Sequence, residues 1–422
     1  MYKAPRGTTD IVPQEQRYWS HVLQKAAEIA RRFGYQRIDT PMFEDTRLFF
    51  RSIGEGTDIV EKEMYTFQDK GGDSITLRPE GTAPACRAYL EHGMFSLPQP
   101  VRLYYFAQIF RYERPQAGRF RQHHQVGFEA IGDPSPMVDA ELIEMAWRLL
   151  ESLGLEGLTL HINSIGDKEC RPKYVAALKE YYADKVDQLC GDCRGRLDRN
   201  PLRLLDCKKE SCFPFGEKAP RSTDYLCKAC EEHFASLKDY LEAVGLQYNV
   251  NHRLVRGLDY YSRTVFEIQP KEEAAQSTIA GGGRYDGLIE ELGGKPTPGS
   301  GFAAGIERII LNLKRQGVAV PEPPQPKVFF AYVSDETKKK AVQLASLARH
   351  QGIPTVMAGD NRSLKSQLRQ ANSWNARYAI IVGQNEAREI TFTVKDLATG
   401  EQRKETAEAE FRAALDKLNE TK

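Results

Sequence analysis

No stretch of this chain approaches the roughly 20 consecutive apolar residues that a helix needs to cross a bilayer, so a membrane partner is not expected. The opening residues, Met1–Asp10, lack the basic-then-apolar order of an export or import leader, being polar and interrupted by Pro5. An excess of one charge sign is also missing: 59 Lys and Arg stand against 58 Asp and Glu. Global attraction is thereby excluded as a way of binding a polyanion, and any such partner must meet a local patch. No G-x-x-x-x-G-K occurs, which removes the P-loop as a nucleotide site. Cysteine is sparse, eight in 422 residues. In a long chain without a leader these are expected as reduced thiols or metal ligands rather than a disulfide framework. A cytoplasmic protein is the expectation.

What is present exceeds one hydrophobic core, since cores stop growing near about 250 to 300 residues. Tyr18, Val22, Ala26, Ile29 and Phe33 recur at helical spacing and Gly34 follows as a stop, which predicts a helix over Gln14–Phe33. Tyr35–Phe43 reads as a strand running into Pro41. Val101–Phe110 and His123–Ile131 read as a hairpin joined by a long basic loop. Helical patterns return at Asp139–Leu153 and Phe234–Val244, around a mainly helical, cysteine-containing insertion at about 170–235. Arg253–Gln269 looks extended, Gly281–Gly283 reads as a turn, and Gly299–Leu313 runs from a glycine-rich segment into a helix. Four prolines in Val318–Lys327 mark a semi-rigid linker, which sets domains of 1–320 and 328–422. Beyond it, strands at Val328–Val333, Pro354–Met357 and Tyr378–Val382 alternate with helices at Thr337–His350 and Ser363–Ser373, predicting a small α/β module.

The hairpin carries the first chemical signal. Residues two apart in a strand share a face, so Gln125, Gly127 and Glu129 point one way while Val126, Phe128 and Ala130 point the other. That leaves a polar face with a gap at the glycine, read as room for a ligand. Arg111 and Glu113 share a face at the end of the first strand, and Arg114, Arg119 and Arg121 crowd the connection. Guanidinium groups match phosphate oxygens bidentately and keep their charge. An exposed basic loop with a surface salt bridge is the alternative.

The run Phe110-Arg111-Tyr112-Glu113-Arg114-Pro115, then Gly118-Arg119-Phe120-Arg121 and on to Gln125 and Glu129, resembles the second signature motif of class II aminoacyl-tRNA synthetases in its histidyl form. The resemblance implies that Arg111 takes the α-phosphate of ATP, Glu113 the adenine side and Arg119 the terminal phosphates. Arg78-Pro79-Glu80-Gly81-Thr82 resembles the amino-acid-binding loop of that family, in which Glu80 and Thr82, with Gln125, would hold the α-ammonium group. Taken alone it is a helix-entry turn. Arg256-Gly257-Leu258-Asp259-Tyr260-Tyr261 is similar to a signature of the histidyl-tRNA synthetase family, which makes Arg256 a catalytic cation beside Arg111 and puts Tyr260 and Tyr261 at the histidine. Gly281-Gly282-Gly283-Arg284-Tyr285-Asp286 resembles its companion, with Tyr285 closing the side-chain pocket. Gly301 to Arg308 resembles the third class II motif, with Arg308 against adenine and the γ-phosphate.

The implied fold is α+β: an antiparallel class II sheet flanked by helices, followed by an α/β anticodon-binding module. The implied partners are L-histidine, ATP with Mg2+ and tRNA(His), with no organic cofactor. The first class II motif, around Phe33 to Glu44 with Pro41, implies a homodimer. A neutral imidazole offers one donor and one acceptor, which Glu129 and Tyr261 are able to meet. Buried polar readout of that kind rejects analogues by about 10⁴-fold or more, so no editing domain is required.

Other patterns point elsewhere. Gly299, Gly301 and Ala304 spell a dinucleotide-type G-x-G-x-x-A, but the linker occupies the place of the second strand that such a site needs. Cys190/Cys193 and Cys227/Cys230 form two C-x-x-C pairs, with Cys207 and Cys212 between them. The two pairs would make one tetrahedral zinc site or remain reduced thiols, and no metal is assigned. Lys338, Lys339, Lys340, Arg362, Lys365 and Arg369 form either a solvated face or phosphate contacts to tRNA. The rival functions are a histidine-sensing regulatory paralogue, which usually lacks the C-terminal module, and a synthetase for another amino acid, which lacks the Arg256–Tyr261 segment.

Overall fold

The computed structural model describes residues 2–54, 57, 59–114, 118–271, 278–323, 325–359, 362–384 and 390–405. Pro115 of the basic loop and the final stretch of the C-terminal module, 406–422, lie outside the described residues. The chain divides into two compact units, Met1–Pro321 and Glu322–Lys422.

In chain order the strands of the first unit are β1 (Gln36–Arg37), β2 (Phe43–Asp45), β3 (Tyr65–Gln68), β4 (Ser74–Leu77), β5 (Val101–Phe110) and β6 (Gln122–Ile131). They continue with β7 (Leu158–Ser164), β8 (Asn249–Val250), β9 (Ser262–Pro270), β10 (Ala280–Arg284) and β11 (Gly299–Gly305). Eight of these form one sheet in the order β1-β5-β6-β11-β10-β9-β7-β8. It is antiparallel except at its two edges, where β1 runs parallel to β5 and β8 to β7. On one face Val126, Phe128 and Ala130 bury against the helices Gln16–Arg32, Pro136–Ser152, Lys228–Ala243 and Ile306–Arg315. Phe128 stacks on Phe302 of β11 at 4.9 Å, carrying the core from one strand to the next. The opposite face has a polar part, Gln125 and Glu129 of β6 with Glu267 and Gln269 of β9, beside the buried apolar side of β5, Leu103, Tyr105, Ala107 and Ile109.

Local chemistry sets the helix ends. Ser135 accepts a hydrogen bond from the Met137 amide at 3.2 Å and Pro136 opens the helix, a residue whose missing N–H costs nothing there. Its third residue after that proline, Asp139, is fully buried and meets Arg284 of β10 in a two-pronged pair, Nε to Oδ1 at 3.1 Å and Nη2 to Oδ1 at 2.8 Å. His233 completes the cluster at 2.8 Å from Asp139 Oδ2. Two helices and a central strand are thereby joined by one buried charge network. The sequence pattern places Arg284 in a signature; its guanidinium is an anchor of the fold.

Three expectations are corrected. Tyr35–Phe43 is not one strand: β1 ends at Arg37, and β2 begins at Phe43 in a separate sheet ordered β2-β4-β3, because Pro41 lacks a ladder donor. Gly281–Gly283 is no turn but the buried middle of β10. A Cβ on Gly282 would sit against the Gly301 carbonyl and Phe302, so strand packing at that point demands glycine despite its poor strand propensity. Arg253–Gln269 is extended only from Ser262 onward.

The insertion is helical, with segments at Arg171–Ala183, Gly191–Arg199 and Phe213–Glu217. It does not bring its two C-x-x-C pairs together. Cys190 and Cys193 lie with Cys207 and Cys212, while Cys227 and Cys230 lie with Asp167 and Cys170. Each pair opens a different helix, so of the two alternatives left open for the pairs, the single site of Cys190, Cys193, Cys227 and Cys230 is not formed.

The second unit holds β12 (Val328–Tyr332), β13 (Thr355–Met357), β14 (Tyr378–Gln384), β15 (Ile390–Asp396) and β16 (Gln402–Glu405), ordered β13-β12-β14-β15-β16. Its parallel half, β13-β12-β14, with the helices Asp335–His350 and Leu364–Ser373, follows the sequence pattern. The antiparallel pair β14-β15 and β16 beyond it were not anticipated.

Candidate active site

A cleft of about 1490 Å³ opens on the polar face of the large sheet. Its wall includes Arg111, Arg119, Arg256 and Arg308, which come from chain segments up to 197 positions apart, together with Gln125 and Glu113. Such convergence is not produced by a basic loop alone.

Arg111, at the end of β5, donates from Nε to the Pro79 carbonyl at 2.7 Å, tying the two motif segments together. Glu113 and Arg119 pair across the loop, Arg119 Nε lying 3.3 Å from the buried Glu113 Oε2, an ion pair without the alignment of a hydrogen bond. Arg308 opens the helix after β11 and donates to the carbonyls of Thr278 at 2.8 Å and Gly118 at 3.3 Å, so it spans the mouth of the loop. Arg256 is paired with Glu267 of β9 and lies 5.7 Å over the Tyr261 ring. Burial works against its charge, but Glu267, Tyr261 and Tyr260 together outweigh that and raise its pKa. Gly281 lets the guanidinium lie against β10, since a Cβ there would be 2.8 Å from its Nη1.

Deeper than the cleft wall lies a second group of predicted residues. Glu129 is fully buried and accepts three hydroxyls: Thr82 at 2.8 Å, Tyr105 at 2.9 Å and Tyr285 at 2.7 Å. Burial raises its pKa to about 8, although the three hydroxyls pull the other way. Tyr260 and Tyr261 are buried beside it, 4.7 Å apart, with Tyr285 5.8 Å from Tyr260. Glu80 is buried too, but its carboxylate accepts from the backbone N–H groups of Thr82 at 2.6 Å and Ala83 at 2.8 Å. It therefore finishes the N-terminus of the helix Thr82–Glu91, and the helix-entry reading of this turn holds structurally.

The gap left by Gly127 is not open to a ligand. Tyr105 lies directly opposite in the β5-β6 register, and its ring fills the space that a Cβ at Gly127 or Gly81 would take. Sequence reasoning missed Tyr105, although a bulky aromatic facing a cross-strand glycine is a recognisable pairing. It also missed Glu267, an acid within the apolar run of β9, and His123, whose imidazole lines the cleft. Desolvation, with Arg111 and Arg308 nearby, pushes the His123 pKa down to about 3, so it faces the cleft neutral.

Residues 7–309 match the family model described as Histidyl-tRNA synthetase, and residues 327–420 match the Anticodon binding domain. A Histidine--tRNA ligase of Dehalococcoides mccartyi (strain ATCC BAA-2266) is 61% identical over 389 residues, covering 92% of this chain and 93% of that protein. One of Caldanaerobacter subterraneus subsp. tengcongensis is 50% identical over 400 residues, 95% of this chain and 96% of that one. Among solved structures, apo histidyl-tRNA synthetase of S. aureus superposes with a TM-score of 0.82 at 37% identity and covers 100% of both chains. An ATP phosphoribosyltransferase regulatory subunit/histidyl-tRNA synthetase of Bacillus halodurans shares the fold, with a TM-score of 0.65 at 21% identity over 91% of this chain and 99% of that one. With four cations converging on one polar sheet face, an anticodon-binding match beyond it and this level of identity along nearly its whole length, the chain belongs to the histidyl-tRNA synthetase family.

Proposed function

We propose that the cleft of the first unit joins L-histidine to the α-phosphate of ATP, releasing pyrophosphate, and then passes the histidyl group to the 3′ end of tRNA(His). Histidine–tRNA ligation is the activity named for the relatives that match along nearly the full chain. The observation that carries the assignment of residues is the convergence of Arg111, Arg119, Arg256 and Arg308 on one cavity wall. ATP enters as its magnesium complex.

In this reading the histidine carboxylate attacks the α-phosphorus and the pyrophosphate oxygen leaves. No proton has to move to make the nucleophile, so catalysis is positioning and neutralisation of charge. Arg111 and Arg256 meet the α-phosphate. Arg256 is held for this task by Glu267 and is only partly exposed to water. Arg119 and Arg308 take the outer phosphates, and Glu113 the adenine side. Glu80, Thr82 and Gln125 lie toward the α-ammonium, while Glu129, Tyr260, Tyr261 and Tyr285 read the imidazole. Glu129 already holds three hydroxyls and Glu80 two amides, which leaves each carboxylate room for a further hydrogen bond to the substrate. The second unit carries exposed Lys339, Arg362, Lys365 and Arg369 as phosphate contacts for the anticodon stem, with Lys338 and Lys340 on the same helix as Lys339. A cytoplasmic homodimer completes the proposal.

The test is histidine-dependent ATP–pyrophosphate exchange. Arg256→Ala is expected to lower it by about 10²- to 10³-fold with an unchanged circular dichroism spectrum. Retention of more than about a tenth of wild-type exchange removes Arg256 from the chemistry. Wild-type exchange stimulated equally by another amino acid overturns the substrate.

A further inference from the structure

Seven of the eight cysteines gather in the insertion and its roots, far beyond what packing of small apolar side chains calls for. Cys190, Cys193, Cys207 and Cys212 place their four sulfurs within 4.8 Å of one another, and Cys190 Sγ lies 4.0 Å from Cys207 Sγ. None is disulfide-bonded. Tetrahedral zinc thiolates at about 2.3 Å from the metal have sulfurs about 3.8 Å apart, so the cage needs only slight contraction to close on an ion. The amide of Cys190 donates to Cys212 Sγ at 3.2 Å, a bond that a thiolate accepts better than a thiol.

The second group is built from different atoms. Asp167, Cys170, Cys227 and Cys230 also lie within 4.8 Å of one another. Here the carboxylate is oriented from behind: Arg263 donates to Oδ2 at 3.3 Å and the Glu169 amide to Oδ1 at 3.0 Å, the kind of support that fixes a ligand in a metal site. Gly166 makes room for Cys170 Sγ, which a Cβ would approach to 2.7 Å. Cys170, Cys190 and Cys227 each occupy the N-cap of a helix, at Arg171–Ala183, Gly191–Arg199 and Lys228–Ala243, and none uses its side chain as a cap. A helix N-terminus favours the thiolate. In both C-x-x-C pairs the first cysteine is that N-cap and the second lies in the first turn, which turns both sulfurs to one side.

We propose that the insertion is a two-zinc module, with one ion in the cage of Cys190, Cys193, Cys207 and Cys212 and a second held by Asp167, Cys170, Cys227 and Cys230. The positions explain the need. The second site joins the chain where it leaves β7 to the chain where it returns into the helix Lys228–Ala243, closing the root of the insertion. The first fixes the helix Gly191–Arg199, whose Arg196 and Arg199 line the active-site cleft and whose Arg199 pairs with Glu61 on the other wall. The insertion already packs Tyr174, Leu178, Tyr182 and Leu205 into the core beneath it, and two metal staples would add fixed cross-links to that packing.

The experiment is zinc analysis of the full chain, purified under reducing conditions without chelator or added metal, together with zinc K-edge absorption. The expected result is about two zinc per chain with an average of about 3.5 sulfur ligands per ion. Cys193→Ser is expected to leave about one zinc with three sulfurs, and Cys230→Ser about one zinc with four. Wild-type protein with less than about 0.2 zinc per chain overturns both sites. About one zinc carrying four sulfurs keeps the cysteine cage and overturns the Asp167 site. Should either variant prove insoluble, the wild-type zinc number and sulfur count decide the matter without it.

Discussion

Glu129 sits at the bottom of the site among hydroxyls and no described cation pairs with it, so its ionisation depends on burial more than on any partner. Its ordinary pKa of 4.5 rises to about 8 in the folded chain. Below the lower value both folded and unfolded states carry the proton. As pH climbs toward 8, the unfolded chain ionises freely while the folded chain must keep the proton or bear a buried charge, so stability is lost over that window. Glu129→Gln has no such loss. The stability of wild type relative to that variant is therefore expected to fall between about pH 5 and pH 8 by up to about 4 kcal/mol, read from urea unfolding of ligand-free protein. A difference that does not change with pH sinks the argument. The polar face of Gln125 and Glu129 was legible in the sequence because strand alternation has period two. Tyr105 and Glu267 were not, since each matters through a cross-strand neighbour, Gly127 and Gly281, and pairing register is not written locally.

Elements meet at Arg284, which links β10 to the helices Pro136–Ser152 and Lys228–Ala243 through Asp139 and His233. Burial pushes the Asp139 pKa up, but Arg284 and His233 outweigh it and hold it at about 2. Its contribution is thus present above its ordinary value of 3.8 and is lost only as pH falls through about 2. Asp139→Asn leaves the guanidinium buried against a neutral amide, and about 3 to 5 kcal/mol of stability is expected to go. Thermal melting at neutral pH checks this; a loss under about 1 kcal/mol contradicts the anchor role. Long periodic helices were legible to within about three residues at Gln16–Arg32 and Pro136–Ser152. Gly281–Gly283 read as a turn because local propensity argues against glycine in a central strand, and only the approach of β9 and β11 on either side overrides that preference.

At the scale of the molecule, the sheet β2-β4-β3 presents an apolar face that packs poorly within the chain. Phe43 and Tyr65 flank Leu77, and Phe67 pairs with Ile75, all on one side. Phe43 is 54% exposed and Phe67 47%. Contiguous exposed apolar patches on a chain this long mark an interface. The proposed homodimer is expected to bury this face, so Phe43→Glu with Phe67→Glu should shift the sedimentation coefficient from dimer to monomer at micromolar concentration. A wild type that already sediments as a monomer, or a double variant that stays dimeric, excludes this face as the interface. Only the family resemblance offered the first-motif segment as a dimer contact, because the pairing of Phe43 and Tyr65 with Leu77 between them cannot be seen in the chain itself.

The parked ion pair of Arg256 and Glu267 also separates the arginines of the cleft by their response to ionic strength. Arg256 keeps company with a carboxylate at short range and little exposed, where added salt screens weakly. Arg119 is 44% exposed at its side chain, within reach of counterions. Under the proposed assignment, salt therefore acts on the capture of the polyphosphate at the rim and leaves the charge at the reacting phosphorus nearly untouched, which makes the same cleft sensitive to its medium on arrival and indifferent to it at the chemical step.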